Sequence, residues 1–298
     1  MKSKVNLHMH TNYSDGTETV SKVVSELKKA GIEYFAVTDH DTVNGCLEAA
    51  EYAEKYKMKH FNGIELSCRF TNGEIGFDDL CGCHILGLGI KVDEMKKRLK
   101  AHSEIKHINI QRLYKLLTDD GYDLNQINTI PARKDIIKVL VDKGYAKDKI
   151  DCKKNIFSKP SYRQYANYCM DVQTAIQTIK ECGGISIWAH PFIASGPGRK
   201  EILVEKQISE LLELLCNYGL DGIEVYYRYK IDTVIIKDEE HLAEKIRFME
   251  NLADSKKLIR SIGTDYHGQE NFSFDVEGII PDEAIIACLE NRTENKNV

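Results

Sequence analysis

Short apolar stretches that stop on a histidine or a carboxylate recur along this chain, and helical periodicity fills most of the gaps between them. That alternation restricts the fold to α/β architectures built from strand–helix units. Residues 5–10 alternate apolar Val5, Leu7 and Met9 with polar Asn6, His8 and His10, so a strand turns both histidines to one face. Thr19 can cap a helix that runs through Val20, Val23, Val24 and Leu27 and ends at Gly31. Six more strands are predicted at 34–38, 61–66, 84–90, 184–189, 222–227 and 258–263, with helices at 47–56, 172–181, 202–217 and 239–253. Residues 93–160 break the pattern: they are rich in Lys, Asp and Asn, and their best segments, 95–117 and 132–143, are helical. The expectation is a parallel, barrel-like α/β fold with a mostly helical insertion.

The reactive side chains fall where such a fold gathers function, at the carboxyl ends of the strands. His8 and His10 close the first predicted strand, His40 the second and Glu65 the third. His84 borders the fourth, His190 closes the fifth, and Asp265 and His267 close the seventh. Imidazole nitrogens mixed with carboxylate oxygens suit zinc, manganese or iron, whereas magnesium and calcium prefer oxygen alone. Glu65, Asp15 and Asp265 can each bridge or complete a ligand set. The net charge of −5 argues against a broad electrostatic grip on nucleic acid. It leaves an anionic substrate open, because bound divalent ions invert the local field. Nine cysteines, an odd number, read as reduced thiols and not as a disulfide framework. The opening residues carry no apolar core of an export signal and no apolar run is long enough for a membrane span, so a cytoplasmic location without a membrane is expected.

Seven segments together, His8-x-His10, Asp15 in Ser-Asp-Gly, Thr38-Asp39-His40-Asp41, Gly63-Ile64-Glu65, His84-Ile85-Leu86-Gly87, Ala189-His190-Pro191 and Gly263-Thr264-Asp265-x-His267, resemble the PHP (polymerase and histidinol phosphatase) family. The resemblance covers the first ninety residues and those from about 170 onward. It implies a distorted (βα)7 barrel over 1–92 and 165–298, with 93–164 as a helical insertion covering the active site. It also implies two to three divalent metal ions (Mn, Zn or Fe). The first would take His8, His10, Glu65 and Asp265; the second Glu65, His84 and His190; the third Asp15, His40 and His267. On that analogy Glu65, Asp265 and His190 are catalytic, and a hydroxide between the first two metals attacks phosphorus. The leaving oxygen would take its proton from a metal-bound water or from Asp39.

The chain looks most like the stand-alone phosphoesterase branch, whose members act on nucleoside 3′,5′-bisphosphates and oligonucleotide ends. The implied activity is hydrolysis of a phosphomonoester of a small phosphorylated molecule, best a nucleotide, with no protein partner required. A 5′–3′ exonuclease on short RNA or DNA, a histidinol-phosphate phosphatase and a non-enzymatic metal-binding module are the alternatives. Arg133 lies in a segment that resembles the family's phosphate-gripping insertion, and Lys159, Arg163 and Arg199 are further candidates. The stretch 155–168 is longer and more aromatic than the family pattern. Asp39 and Asp41 read as groups that orient His40 or cap the next helix. His60, His102, His107 and His241 match no motif and read as ordinary core or surface histidines. Cys81-Gly82-Cys83-His84 resembles half a zinc knuckle, but no second cysteine pair completes it.

Overall fold

A computed structural model describes residues 4–70, 82–127, 131–166, 169–196, 199–227, 229, 235–268 and 283–294, those at 194–196, 199–202 and 293–294 by backbone alone. The first half opens with β1 (Val5–Asn6), α1 (Val20–Lys29), β2 (Tyr34–Phe35), α2 (Gly45–Tyr56), β3 (Lys59–His60), β4 (Gly63–Arg69) and β5 (Cys83–Leu88). In α1 the Thr19 hydroxyl accepts the Lys22 N–H, and Val20, Val23, Val24 and Leu27 are all buried, as their spacing requires. Burying each such side chain stabilises the fold by about 1.5–3 kcal/mol.

The helical stretch follows as α3 (Val92–Asp119), α4 (Arg133–Asp142), α5 (Lys149–Asp151), a π turn over Cys152–Ile156, and α6 (Pro160–Ala166). It builds an apolar cluster of its own from Ile110, Leu113, Leu117, Ile136, Leu140, Phe157 and Tyr162. The 28-residue α3 links this cluster to the main core, where its Val92 and Met95 are buried. The chain returns through β6 (Met170–Asp171), α7 (Val172–Glu181), β7 (Ile185–Trp188), β8 (Ile193–Gly196), β9 (Arg199–Ile202), α8 (Glu205–Asn217), β10 (Gly222–Tyr227), α9 (Glu239–Lys256), β11 (Ile259–Gly263) and α10 (Glu283–Glu294). Among the described residues no helix is long and apolar enough to cross a membrane.

The result is a mixed α/β fold with one parallel sheet ordered β1-β2-β3 and a second ordered β11-β10-β7-β5-β4-β6. The sheets are joined at two places: His40 bridges Glu65, and Met9 bridges Tyr266 beside the Leu7 N–H, which donates to the Ile262 carbonyl at 3.0 Å. One strand departs from the parallel expectation. β5 runs antiparallel to both β4 and β7, with Ser67 opposite His84 and Ile85 opposite Trp188. Its reversal explains why His84 lies at the start of a strand; Glu65, expected to close its strand, instead lies near the start of β4, which runs on four residues to Arg69. The hairpin of β8 with β9, the two-residue β6 and the terminal α10 had no sequence expectation, being too short or too weakly patterned.

Candidate metal centre

Glu65 lies in the middle of the rim on β4, fully buried. Its Oε2 has His10 Nε2 at 3.0 Å, His40 Nδ1 at 3.2 Å and His8 Nε2 at 3.3 Å. Its Oε1 has His84 Nδ1 at 2.9 Å and His190 Nε2 at 3.1 Å. Although five imidazole nitrogens surround this carboxylate, Oε2 makes no hydrogen bond, and neither does His40 Nδ1. His8 Nε2 and His10 Nε2 also face each other at 3.3 Å. Two nitrogens on one tetrahedral zinc-like ion, at about 2.05 Å each, are separated by about 3.3 Å. The donors therefore fit ions better than they fit one another.

Among the described residues three sets of donor atoms draw together closely enough for an ion: His8, His10, Glu65 and Asp265; His40, Glu65 and His84; and His10, Asp15, His40 and His267. The first equals the set expected for the first metal. The other two bring His40 between them, and His190 reaches the second set through Glu65 Oε1. Asp265 Oδ1 stands 3.0 Å from His10 Nε2 and 3.3 Å from His8 Nε2. Asp15, half exposed, stands 3.3 Å from His267 Nε2 and 3.7 Å from His40 Nε2 at the mouth.

Electrostatics follow from that crowding. Burial opposes a charge on His8, but Glu224, Glu65 and Asp265 outweigh it and hold the ring well above its ordinary pKa. The same contest, settled by the Asp265 and Glu65 carboxylates that each stand 3.0 Å from its Nε2, raises His10 to about 9. His40 goes the other way, to about 4, because burial and the His10 and His84 rings prevail over Glu65 and Asp15. Despite burial, Glu65 is pulled well below the carboxylate range by His40, His8 and His84.

Residues 6–182, more than half of the chain, match the family described as the PHP domain. The chain belongs to the PHP domain family. Its ordered histidine–carboxylate cluster and that match make it a metal-dependent phosphoesterase that binds divalent ions. Three curated relatives resemble it over nearly their full lengths. A phosphoribosyl 1,2-cyclic phosphate 1,2-diphosphodiesterase from Eggerthella lenta is 26% identical over 88% of this chain and 94% of its own. A 5′–3′ exoribonuclease from Haemophilus influenzae is 26% identical, over 90% and 91%. A 3′,5′-nucleoside bisphosphate phosphatase from Chromobacterium violaceum is 25% identical, over 92% and 90%. Near-equal identity to three different activities leaves the substrate to be argued from residues.

Several PHP-site residues escaped the sequence reading. Glu224 on β10 is fully buried; its Oε1 is 3.0 Å from His8 Nδ1, and its Oε2 accepts the His190 N–H at 2.8 Å. A glutamate in the apolar run Gly222–Tyr227 was the available signal. The Tyr227 hydroxyl donates to Asp265 Oδ2 at 3.0 Å. Gly263 gives these groups room, since a Cβ there would stand 2.2 Å from His8 Cβ and 2.5 Å from Glu224 Oε1.

Other expectations change. Asp39 is almost fully buried and accepts from the Thr11 N–H (2.8 Å), the Thr11 hydroxyl (2.7 Å) and the Ser14 hydroxyl (2.6 Å). It thus ties down the loop carrying Asp15. Asp41 accepts the Ser67 N–H at 3.0 Å and faces Lys106 at 3.8 Å; it does not cap α2, whose first flanking residue is Asn44. Arg133 donates to the Ala166 carbonyl at 3.1 Å and acts, with Arg69 and Lys106, on the Cys169 thiol. Lys159 lies against Tyr122 and Tyr162 within the helical stretch and donates to the Tyr122 hydroxyl. Arg163 lies on α6, and Arg199 starts β9, its side chain outside the description. His60 packs on Phe35, His107 pairs with Gln111, and the His241 N–H is capped by Asp238. Cys81 of the knuckle-like run lies outside the described residues, while Cys83 is buried.

Proposed function

We propose that this chain hydrolyses a phosphomonoester of a small phosphorylated molecule, with a nucleoside 3′,5′-bisphosphate or a related nucleotide as the substrate. The supporting observation is the buried Glu65 carboxylate, ringed by five imidazole nitrogens with its Oε2 left without a hydrogen bond. In this reading the two sheets close as a distorted (βα)7 barrel over 1–92 and 165–298, supported by the two bridges between the sheets. The insertion, 93–164, covers the site, supported by its own apolar cluster. Two to three ions of manganese, zinc or iron would be held by His8, His10, Asp15, His40, Glu65, His84, His190, Asp265 and His267. Such ions neutralise phosphoryl oxygens and acidify water.

The protein's own part is positioning. Glu224 fixes the His8 ring and the His190 backbone together, so both donors face Glu65. Tyr227 holds Asp265 turned toward His8 and His10. Asp39 clamps the loop that places Asp15 at the mouth. Arg133, with Lys159, Arg163 and Arg199 as further candidates, would grip phosphate beyond the ions.

The test is a phosphoester panel with manganese-loaded protein: adenosine 3′,5′-bisphosphate, histidinol phosphate, and 5′-phosphorylated oligoribonucleotides. Release from the bisphosphate with little dependence on chain length is expected. Cleavage confined to oligonucleotides and falling with salt would move the reading to the exonuclease. No phosphate from any substrate would overturn it.

A further inference from the structure

Glu65, Ser67 and Arg69 alternate onto one face of β4, while Ile64, Leu66 and Cys68 face the core. The strand thus runs on past the metal centre, and Arg69 stands about 13 Å beyond Glu65 along the backbone. There it lines a cavity of about 300 Å³ between α3 and the start of α7. His102 and the 46%-exposed Ile105 form the α3 wall, and Cys169 and Asp171 the opposite one. The charges acting on Cys169 are Asp41, Lys106, Arg133 and Arg69. Asp41 follows His40 and accepts the Ser67 N–H, so one of the charges acting on the lining residue Cys169 sits next to the metal rim. The lining brings together Arg69, Arg98, which is paired with Glu181, and Asp171, whose carboxylate caps α7, and the volume is that of a small ligand pocket.

We propose that this cavity receives the second, non-reacting phosphate of a doubly phosphorylated substrate, with Arg69 selecting for that second charge. This rests on the phosphoesterase reading above. The β4 geometry sets the division of labour: one phosphate meets the cluster around Glu65, and a sugar-sized spacer carries the other toward the Arg69 guanidinium. Arginine is suited to that second grip because its fork matches phosphate and keeps its charge at every working pH.

The experiment compares kcat/KM for adenosine 3′,5′-bisphosphate with kcat/KM for adenosine 3′- and 5′-monophosphate, in wild type and in Arg69→Gln. The preference for the bisphosphate falls roughly 10- to 100-fold in Arg69→Gln, mostly through KM. Ile105→Glu, on an exposed helix surface, lowers the same ratio by setting a carboxylate at the mouth. Binding of adenosine 3′,5′-bisphosphate to metal-free protein, measured by equilibrium dialysis, weakens in both variants. The dialysis arm reports on the cavity even if wild type hydrolyses none of the three nucleotides, an outcome that would count against the activity alone. A preference ratio within threefold of wild type in both variants, or equal dialysis binding, overturns the proposal.

Discussion

Replacing Glu224 by glutamine isolates what the outermost layer of the cluster contributes. The carboxylate is fully buried and serves two partners, His8 Nδ1 at 3.0 Å and the His190 N–H at 2.8 Å. Glutamine keeps the volume, but its single carbonyl oxygen cannot serve both with a full charge. The attraction that raises His8 basicity therefore weakens, and the ring that faces Glu65 and Asp265 loses its fixed tautomer. Loss of such a partner costs about 10- to 100-fold in metal affinity, or about 1.4–2.7 kcal/mol. Titrating metal-free protein with manganese against a chelating dye measures that change directly. Glu224→Ala goes further, leaving two buried N–H groups without acceptors at about 1–3 kcal/mol each, which lowers Tm by several degrees. If Glu224→Gln binds manganese within threefold of wild type at an unchanged Tm, the orienting role is wrong.

The double variant Asp265→Ala, His267→Ala removes one donor from the His8 set and one from the Asp15 set, so elemental analysis of purified protein should find at least one fewer ion per chain; an undiminished content sinks the ligand assignment. With His10 raised to about 9, its proton stabilises the metal-free fold fully below about 6.5 and that contribution fades as pH climbs through 9. Metal needs the neutral ring, so manganese binding at pH 7 should release at least one proton and tighten toward pH 9; calorimetry in two buffers of different ionisation heat reads this, and zero release counts against it. Gly263→Ala should cost about 1–3 kcal/mol by overpacking against His8 and Glu224, seen as a lower Tm together with weaker manganese binding. A normal Tm and normal affinity would mean the strand yields without disturbing the ring.

Most of the nine proposed donors were legible because they border an apolar run, a pattern that needs no knowledge of strand direction. Direction itself was not legible. His84-Ile85-Leu86-Gly87 reads the same forward or reversed, and only pairing with β4 and β7 shows β5 to be antiparallel. The amphipathic helices α1 and α7 follow from spacing and caps, since Thr19 and Asp171 each accept an N–H three residues on. Glu224 and Tyr227 hid inside an apolar strand because nothing local says that a buried glutamate faces a histidine 216 residues away. Arg69 hid for a related reason: its role depends on how far β4 extends beyond Glu65, and strand ends are what patterns place worst.

The backbone at the rim adds a further argument. Among the described residues five non-glycine positions adopt positive φ, and three of them are Asp41, His190 and Asp265. A left-handed conformation costs such residues of order 1 kcal/mol or more, and it persists only where surrounding contacts impose it. Those contacts are on hand: Glu224 accepts the His190 N–H, the Tyr227 hydroxyl donates to Asp265 Oδ2, and the Glu65 carbonyl accepts the Asp41 N–H. The same rim also brings the His10 and His267 rings to 4.2 Å and the His10 and His40 rings to 4.5 Å. Main-chain strain and close-set imidazoles thus fall on one ring of residues, and divalent ions would be held in the orientation that the strained backbone imposes. The sheets hold the donors in place beforehand, so ion binding and the stability of the rim are coupled through the same few side chains.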